Sequence, residues 1–223
     1  MLHAATDLMR YRAVVDGAAL PIDDLFFSPE LASLAYVSVR KSPAPWAGHA
    51  IVSACDLGMP DSDLREVWVG ATEREFRDAP AAVPNSALRE VAQKIAGHPG
   101  EAGGTGSEDR MTGNQIEAAF ERASDWIGAP ATHEGEVIGR VDDFLIEWPR
   151  PRLTHMVINT GTTLPERQVV LPAECCGVPC DSDKSVRVDV DREALETAPE
   201  VEQIDALDRH WIDTVREYYR LPV

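Results

Sequence analysis

The sequence predicts a mainly β to α+β protein, two small β-barrels in tandem with connecting and C-terminal helices. Three observations point there. Sliding the 223 residues over themselves finds one register, in which Asp23-Asp24 falls on Asp142-Asp143 at an offset of 119. Without a gap, the same offset sets Ile22 to Phe27 on Val141 to Ile146, Leu34 to Val39 on Leu153 to Ile158, Val67 and Val69 on Val186 and Val188, and Ala79-Pro80 on Ala198-Pro199. Each copy also reads as short strands separated by turn residues, and between the copies the composition turns helical and Gly-rich.

The elements follow in order. Residues 1–82 form a divergent first copy, 83–125 a helical and Gly-rich linker, 126–202 the second copy and 203–223 a C-terminal amphipathic helix. In the second copy, Glu136 to Ile146 carries Val137, Val141 and Leu145, Leu153 to Asn159 and Gln168 to Leu171 follow, and Val186 to Val190 alternates strictly. Glu134-Gly135, Trp148 to Pro151, Gly161 to Pro165 and Asp181 to Asp183 supply turns. Short strands at this spacing predict a closed or partly closed barrel, because closure removes exposed strand edges. Residues 9–80 and 128–199 are expected to superpose. Ser86 to Ala96 predicts a capped helix with Leu88, Val91, Ala92 and Ile95 on one face, and Pro99 to Ser107 a flexible link. Thr112 to Ile127 predicts a second helical stretch, with Ile116, Ala119, Phe120 and Ala123 together. Leu207, Trp211, Val215 and Tyr218/Tyr219 recur at helical spacing in Asp205 to Arg220.

Charge narrows the partners. With 21 Lys+Arg against 38 Asp+Glu the formal net charge is −17, which repels phosphate backbones and anionic lipid, so no nucleic acid is expected as a partner. No apolar run approaches the roughly 20 residues that span a bilayer, and Met1 to Arg10 lacks a basic start followed by an apolar core. A cytoplasmic protein without an integral membrane segment is expected. Of four cysteines, three bunch at Cys175, Cys176 and Cys180, unlike the dispersed staples of a secreted mini-domain.

The second copy resembles the PRC-barrel family. The likeness is carried by Val137 to Ile146, Thr154 to Gly161 and Leu164 to Pro172, then by Val186 to Val190 with Ala198-Pro199 and the tail Leu207 to Leu221-Pro222. That family is shared by the cytoplasmic part of the H subunit of purple-bacterial photosynthetic reaction centres, the C-terminal domain of a ribosome-maturation factor and many stand-alone bacterial proteins. The first copy is linked to it through the internal offset, and departs from it at Leu20-Pro21, Ser42 and Trp46, where Gly139-Arg140, Gly161 and Pro165 stand in the second. The resemblance implies protein–protein contact and assembly and transfers no catalytic residue.

The residues offer few chemical sites. Neighbouring aspartates on a strand point to opposite faces, so neither Asp23/Asp24 nor Asp142/Asp143 converges on one reacting atom. One acid of each pair is expected to accept hydrogen bonds near a strand bend and the other to be solvated. Cys176 and Cys180 supply one C-x(3)-C pair, which His133, His155 or His210 would have to complete into a zinc site. No second pair is visible, so the thiols read as small apolar filler. The stretch from Gly97 to Ser107 lacks the Lys-Ser/Thr of a phosphate loop and reads as linker. The acidic surplus reads as a solvated surface, with an interface for a basic partner as the other possibility. Expected, then, is a non-enzymatic scaffold or adaptor that needs no cofactor, binds a protein partner the sequence does not name, and forms a homodimer. Its interaction candidates are Leu207, Trp211, Val215 and Tyr219, whose alternative is packing on the chain's own barrel. The alternative function is a thiol- or metal-responsive sensor built on Cys175, Cys176 and Cys180.

Overall fold

The computed structural model describes residues 1–28, 32–44, 47–82, 112–161, 167–180, 184–199 and 209–221. The expected helix at 86–96, the link at 99–107, the turn at 181–183 and Leu207 lie outside the described residues. The first copy runs β1 (Leu2–Ala4), α1 (Ala5–Leu8), β2 (Arg12–Val15), β3 (Ala18–Phe27), β4 (Leu34–Arg40), β5 (His49–Ser53), a 3-10 turn (Ala54–Asp56), β6 (Glu66–Trp68), α2 (Glu73–Arg77) and β7 (Ala81–Ala82). After α3 (Gly113–Ala119), the second runs β8 (Glu121–Arg122), α4 (Ala123–Trp126), β9 (Pro130–His133), β10 (Glu136–Glu147), β11 (Arg152–Asn159), β12 (Gln168–Pro172), a 3-10 turn (Ala173–Cys175), β13 (Cys176–Cys180), β14 (Ser185–Val188) and α5 (Arg192–Thr197). Helix α6 (Arg209–Tyr218) follows it.

The two copies correspond down to their irregularities. Ile22 pairs with Val39 and Val141 with Ile158, and both long strands are bulged at their aspartates, between Ile22 and Asp24 and between Val141 and Asp143. Each opens with a hairpin on a two-residue turn, Asp16-Gly17 or Glu134-Gly135, in which both central residues have positive φ as a type I′ turn requires. The ungapped register needs one correction. Ala13 pairs with Leu20 but Ala131 pairs with Gly139, so the start of the repeat lies at an offset of 118, and a bulge between Val137 and Gly139 absorbs the extra residue.

Thr112 to Ile127 is not one helical stretch. Phe120 leaves the helix at φ −128° and ψ 150°, and Glu121 and Arg122 then pair with Phe27 and Phe26, so strand pairing overrides the helical pattern there. Thr112 does start α3 with a capping box, its side chain accepting from the Gln115 N–H while Gln115 reaches back.

The described strands form two mixed sheets, ordered β12-β11-β10-β9-β14-β13 with β1 beside β10, and β6-β2-β3-β4-β5-β7 with β8 beside β3. Pairing is antiparallel except for β9 with β14 and β2 with β6. Among the described residues neither sheet closes into the expected barrel, and the free part of each long strand is covered by the other copy. Strand β1 of the first copy pairs with β10 of the second, and β8, which leads into the second copy, pairs with β3 of the first. The exchange is reciprocal about a pseudo-two-fold axis. On that axis Ser33 bridges Arg152, its own counterpart, while Leu34 N–H donates to Pro151 O at 2.9 Å and Leu153 N–H to Ala32 O at 3.2 Å. One apolar core spans both copies, and Phe27 meets Phe144 across it with ring centroids 5.4 Å apart. Among the described residues no helix is long and apolar enough to cross a membrane.

Candidate functional site

The acid pairs sit at the bulges, and the bulge is what separates their members. Asp24 and Asp143 turn inward and are 5% and 3% exposed. Asp143 accepts from the N–H and hydroxyl of Thr6 and from Phe144 N–H at 2.7 Å. Asp24 accepts from the N–H and hydroxyl of Ser124, from Leu25 N–H at 2.9 Å, and from Arg122 Nη1 at 3.5 Å. Burial pushes both carboxyls above the usual carboxylate range; the hydroxyl of Thr6 or Ser124 opposes it most. Asp23 and Asp142 are the bulged residues. Arg40 and His49 donate to Asp23, and Gln168 Nε2 donates to Asp142, so both lie half-buried on the sheet and bonded to side chains where solvated acids were expected. Each pair is thus divided between a buried structural acceptor and a half-buried acid bonded to side chains of its own sheet.

Cys175 is buried and Cys176 half-buried, and Cys176 Sγ donates to Pro172 O at 3.5 Å. Burial raises both thiols above their ordinary range, which depletes the thiolate that redox or metal chemistry requires. The backbone of Cys180 pairs with Ser185 in the β13–β14 ladder, and its side chain lies outside the described residues. Among the described residues no group of three or more His, Cys, Asp and Glu is placed to hold a metal ion. His133 Nδ1 is 3.0 Å from Val188 O, and His155 is a core residue at the position of Tyr36, 2% exposed, with its pKa lowered by burial to about 4. His98 and the side chain of His210 lie outside the described residues.

The C-terminal stripe lies against the second copy's own sheet. Trp211 packs on Leu145, Val157 and Val170, Val215 is fully buried, and Tyr219 packs on the main core. Arg216 Nη1 meets Glu174 Oε1 at 3.0 Å, and the Tyr218 hydroxyl donates to Ala194 O at 2.8 Å. Together β12, α5 and the turn at Ala173–Cys175 form a groove in which one face of α6 is seated.

The first copy presents the counterpart groove. A cleft of about 300 Å³ is lined by Tyr36, Ile51, Ser53, Asp56, Phe76 and Ala79, with Ile116 of α3 at one end. Those first six residues occupy the positions of His155, Val170, Pro172, Cys175, Leu195 and Ala198 in the second copy. Ile116 packs with Phe26 and Ile51, the counterparts of Leu145 and Val170, and so takes the Trp211 end. Phe120 stacks edge-on against Tyr36 at 5.0 Å. At the other end Asp56 holds the position of Cys175, which lies near Tyr219, and among the described residues that end is the cleft. None of these residues carries a motif, so they are not legible one at a time; laying the seat of the C-terminal stripe onto the other copy is the signal that finds them.

No family model matches the chain, and no curated protein matches it.

Proposed function

We propose that this chain is a non-enzymatic adaptor of PRC-barrel type, located in the cytoplasm, whose first copy binds a partner protein. The observation that carries this reading is the first-copy cleft. It repeats, position for position, a groove that in the second copy packs a helix, and its mixed lining sets apolar side chains beside polar ones that a partner helix can meet. The PRC-barrel likeness of residues 126–223 supports an assembly role. Absence of catalysis is supported by the acid pairs, which serve backbone, hydroxyl and arginine donors. The homodimer expectation finds little support, since Trp126 and Val215, two apolar side chains suited to it, are buried within the chain. Affinity capture from native extract tests the proposal with the intact chain and Ile51→Arg, each checked for folding. A partner held by the intact chain and lost from the variant is expected; identical sets of captured proteins would end the reading.

A further inference from the structure

We infer that Ala4 and Arg122 are the keys that direct each donated segment onto the opposite copy, so that the sheet edge of each copy fits one segment of this chain and refuses the other. The segments are themselves repeats: at the offset of 118, Ala4-Ala5-Thr6-Asp7-Leu8 lies on Arg122-Ala123-Ser124-Asp125-Trp126. They also dock alike, Ala4 opposite Leu145 and Arg122 opposite Phe26, the counterpart of Leu145. An unexchanged chain, with Ala4 on Phe26 and Arg122 on Leu145, would use the same ladders to close each copy on itself. The aspartate latches do not separate the two arrangements, because Thr6 and Ser124 each offer an N–H and a hydroxyl and each copy offers a buried aspartate. What separates them is the residue that leads into each short helix.

Arg122 is 5% exposed, with its guanidinium 5.0 Å from the centroid of the Phe26 ring and Nη1 3.5 Å from Asp24 Oδ2. Glu117, which belongs to the same stretch of chain, holds Nη2 at 2.9 Å. At the matching place in the second copy, Ala4 lies in an apolar cluster with Leu145, Val157 and Val170, and Trp211 packs against it. Arg122 set there would exchange an aromatic face for Leu145 and contend with Trp211 for space that a methyl group leaves free. Ala4 set on Phe26 would take the cation away from Asp24, whose charge burial already disfavours. A second difference points the same way. His3 meets the Trp148 ring edge-on at 5.9 Å, and the residue at the Trp148 position of the first copy is Pro29, so the neighbour of Ala4 is matched to the second copy as well. Buried polar groups that choose between pairings of similar backbone geometry act in this way.

Disulfide trapping in the full chain tests the keys, with Cys55→Ser removing the exposed thiol. Leu2 stands opposite Glu147, and Ser28 holds the place of Glu147 in the first copy. Leu2→Cys with Glu147→Cys therefore reports the exchange, and Leu2→Cys with Ser28→Cys reports closure of the first copy on itself. Each bond is identified in the monomer by peptide mass spectrometry after mild oxidation. With the natural keys the bond between positions 2 and 147 is expected to form and that between 2 and 28 is not. Exchanging the keys, Ala4→Arg with Arg122→Ala, is expected to lower the 2–147 yield about tenfold and to bring up the 2–28 bond. Arg122→Met, which keeps bulk without charge, is expected to make the 2–28 bond detectable while 2–147 still dominates, and it carries the test if the double variant does not fold. A 2–28 bond formed with the natural keys overturns the inference. So does an unchanged 2–147 yield in the folded double variant, or the absence of the 2–28 bond from every folded variant.

Discussion

Thr6 donates both its backbone N–H, at 3.1 Å, and its hydroxyl to the carboxylate of Asp143, 137 residues further along the chain. Ser124 makes the same pair of bonds to Asp24 across 100 residues. Each buried aspartate therefore satisfies the first turn of a helix contributed by the other half of the exchange, and each also holds the amide beside its own bulge. One residue type at one bulge position fixes the strand kink and latches the two copies together.

The two latches are predicted to differ in how far they depend on charge. Asp143→Ala strands the donors of Thr6 and Phe144 and should cost about 2–4 kcal/mol, whereas Asp143→Asn keeps an acceptor and should cost about 1 kcal/mol. Asp24→Asn should cost more than Asp143→Asn. It removes a charge partner from the buried Arg122, which is also held by Glu117 at 2.9 Å. Urea unfolding at neutral pH measures all three; equal losses for the two asparagine variants would refute the asymmetry.

The exchange itself predicts where a defect is felt. Thr6→Val lies in the first copy by sequence but should loosen the end of β10 in the second. Hydrogen exchange is expected to speed up at Asp143 to Glu147 and at the facing amides of β11, with Ile22 to Phe27 of β3 little changed. Faster exchange confined to the first copy would mean the reciprocal pairing is wrong.

Two adjacent tyrosines should respond with opposite sign. The Tyr218 hydroxyl bonds Ala194 O and meets Thr197 Oγ1 at 2.6 Å, so Tyr218→Phe leaves the end of α6 less well held, by about 1 kcal/mol. The Tyr219 hydroxyl is buried and finds no hydrogen-bond partner among the described residues, and burial pushes it above the ordinary phenol range. Tyr219→Phe removes a desolvated polar group and should be neutral or stabilising by up to about 1 kcal/mol. Thermal melts of the two variants decide it, and a loss for Tyr219→Phe would show that its hydroxyl is bonded.

The repeat was legible because Asp23-Asp24 and Asp142-Asp143 are rare enough to set a register, and strand alternation at Val186 to Val190 followed from side-chain burial alone. The separate fates of Asp24 and Asp23 were also readable, since a strand must divide neighbours between faces. The exchange was not. Glu121-Arg122 and Leu2 to Ala4 are two or three residues long, too short for a periodicity, and their partners lie in the opposite copy. Closure was expected for the same reason: sequence shows that an edge needs covering but not which copy supplies the cover. The cleft was hidden because Tyr36, Ile51, Phe76 and Ala79 look like any core-facing residues until one asks what covers each copy.

Acid stability is predicted to depend on His155. This residue is 2% exposed, lies opposite Pro172 with Glu174 and Arg216 of α6 nearby, and has Nδ1 at 3.0 Å from Thr154 Oγ1 and Nε2 unpartnered among the described residues. Burial lowers its pKa from 6.5 to about 4; Glu174 opposes that shift and Arg216 adds to it. Above pH 6.5 the ring is neutral in both folded and unfolded chains and contributes nothing to pH dependence. Between 6.5 and 4 the unfolded chain takes up a proton that the folded chain refuses, so stability falls with pH across that window, by up to about 3 kcal/mol. Asp24 and Asp143 act in the opposite sense, because burial raises their pKa values in the fold and a falling pH relieves the cost of keeping them charged. A difference measurement isolates the histidine. His155→Gln should be less stable at neutral pH yet lose less stability on acidification, so the two curves of unfolding free energy against pH converge or cross between pH 6.5 and 4. Curves that stay parallel through this window would show that His155 accepts its proton in the folded protein as readily as in the unfolded one.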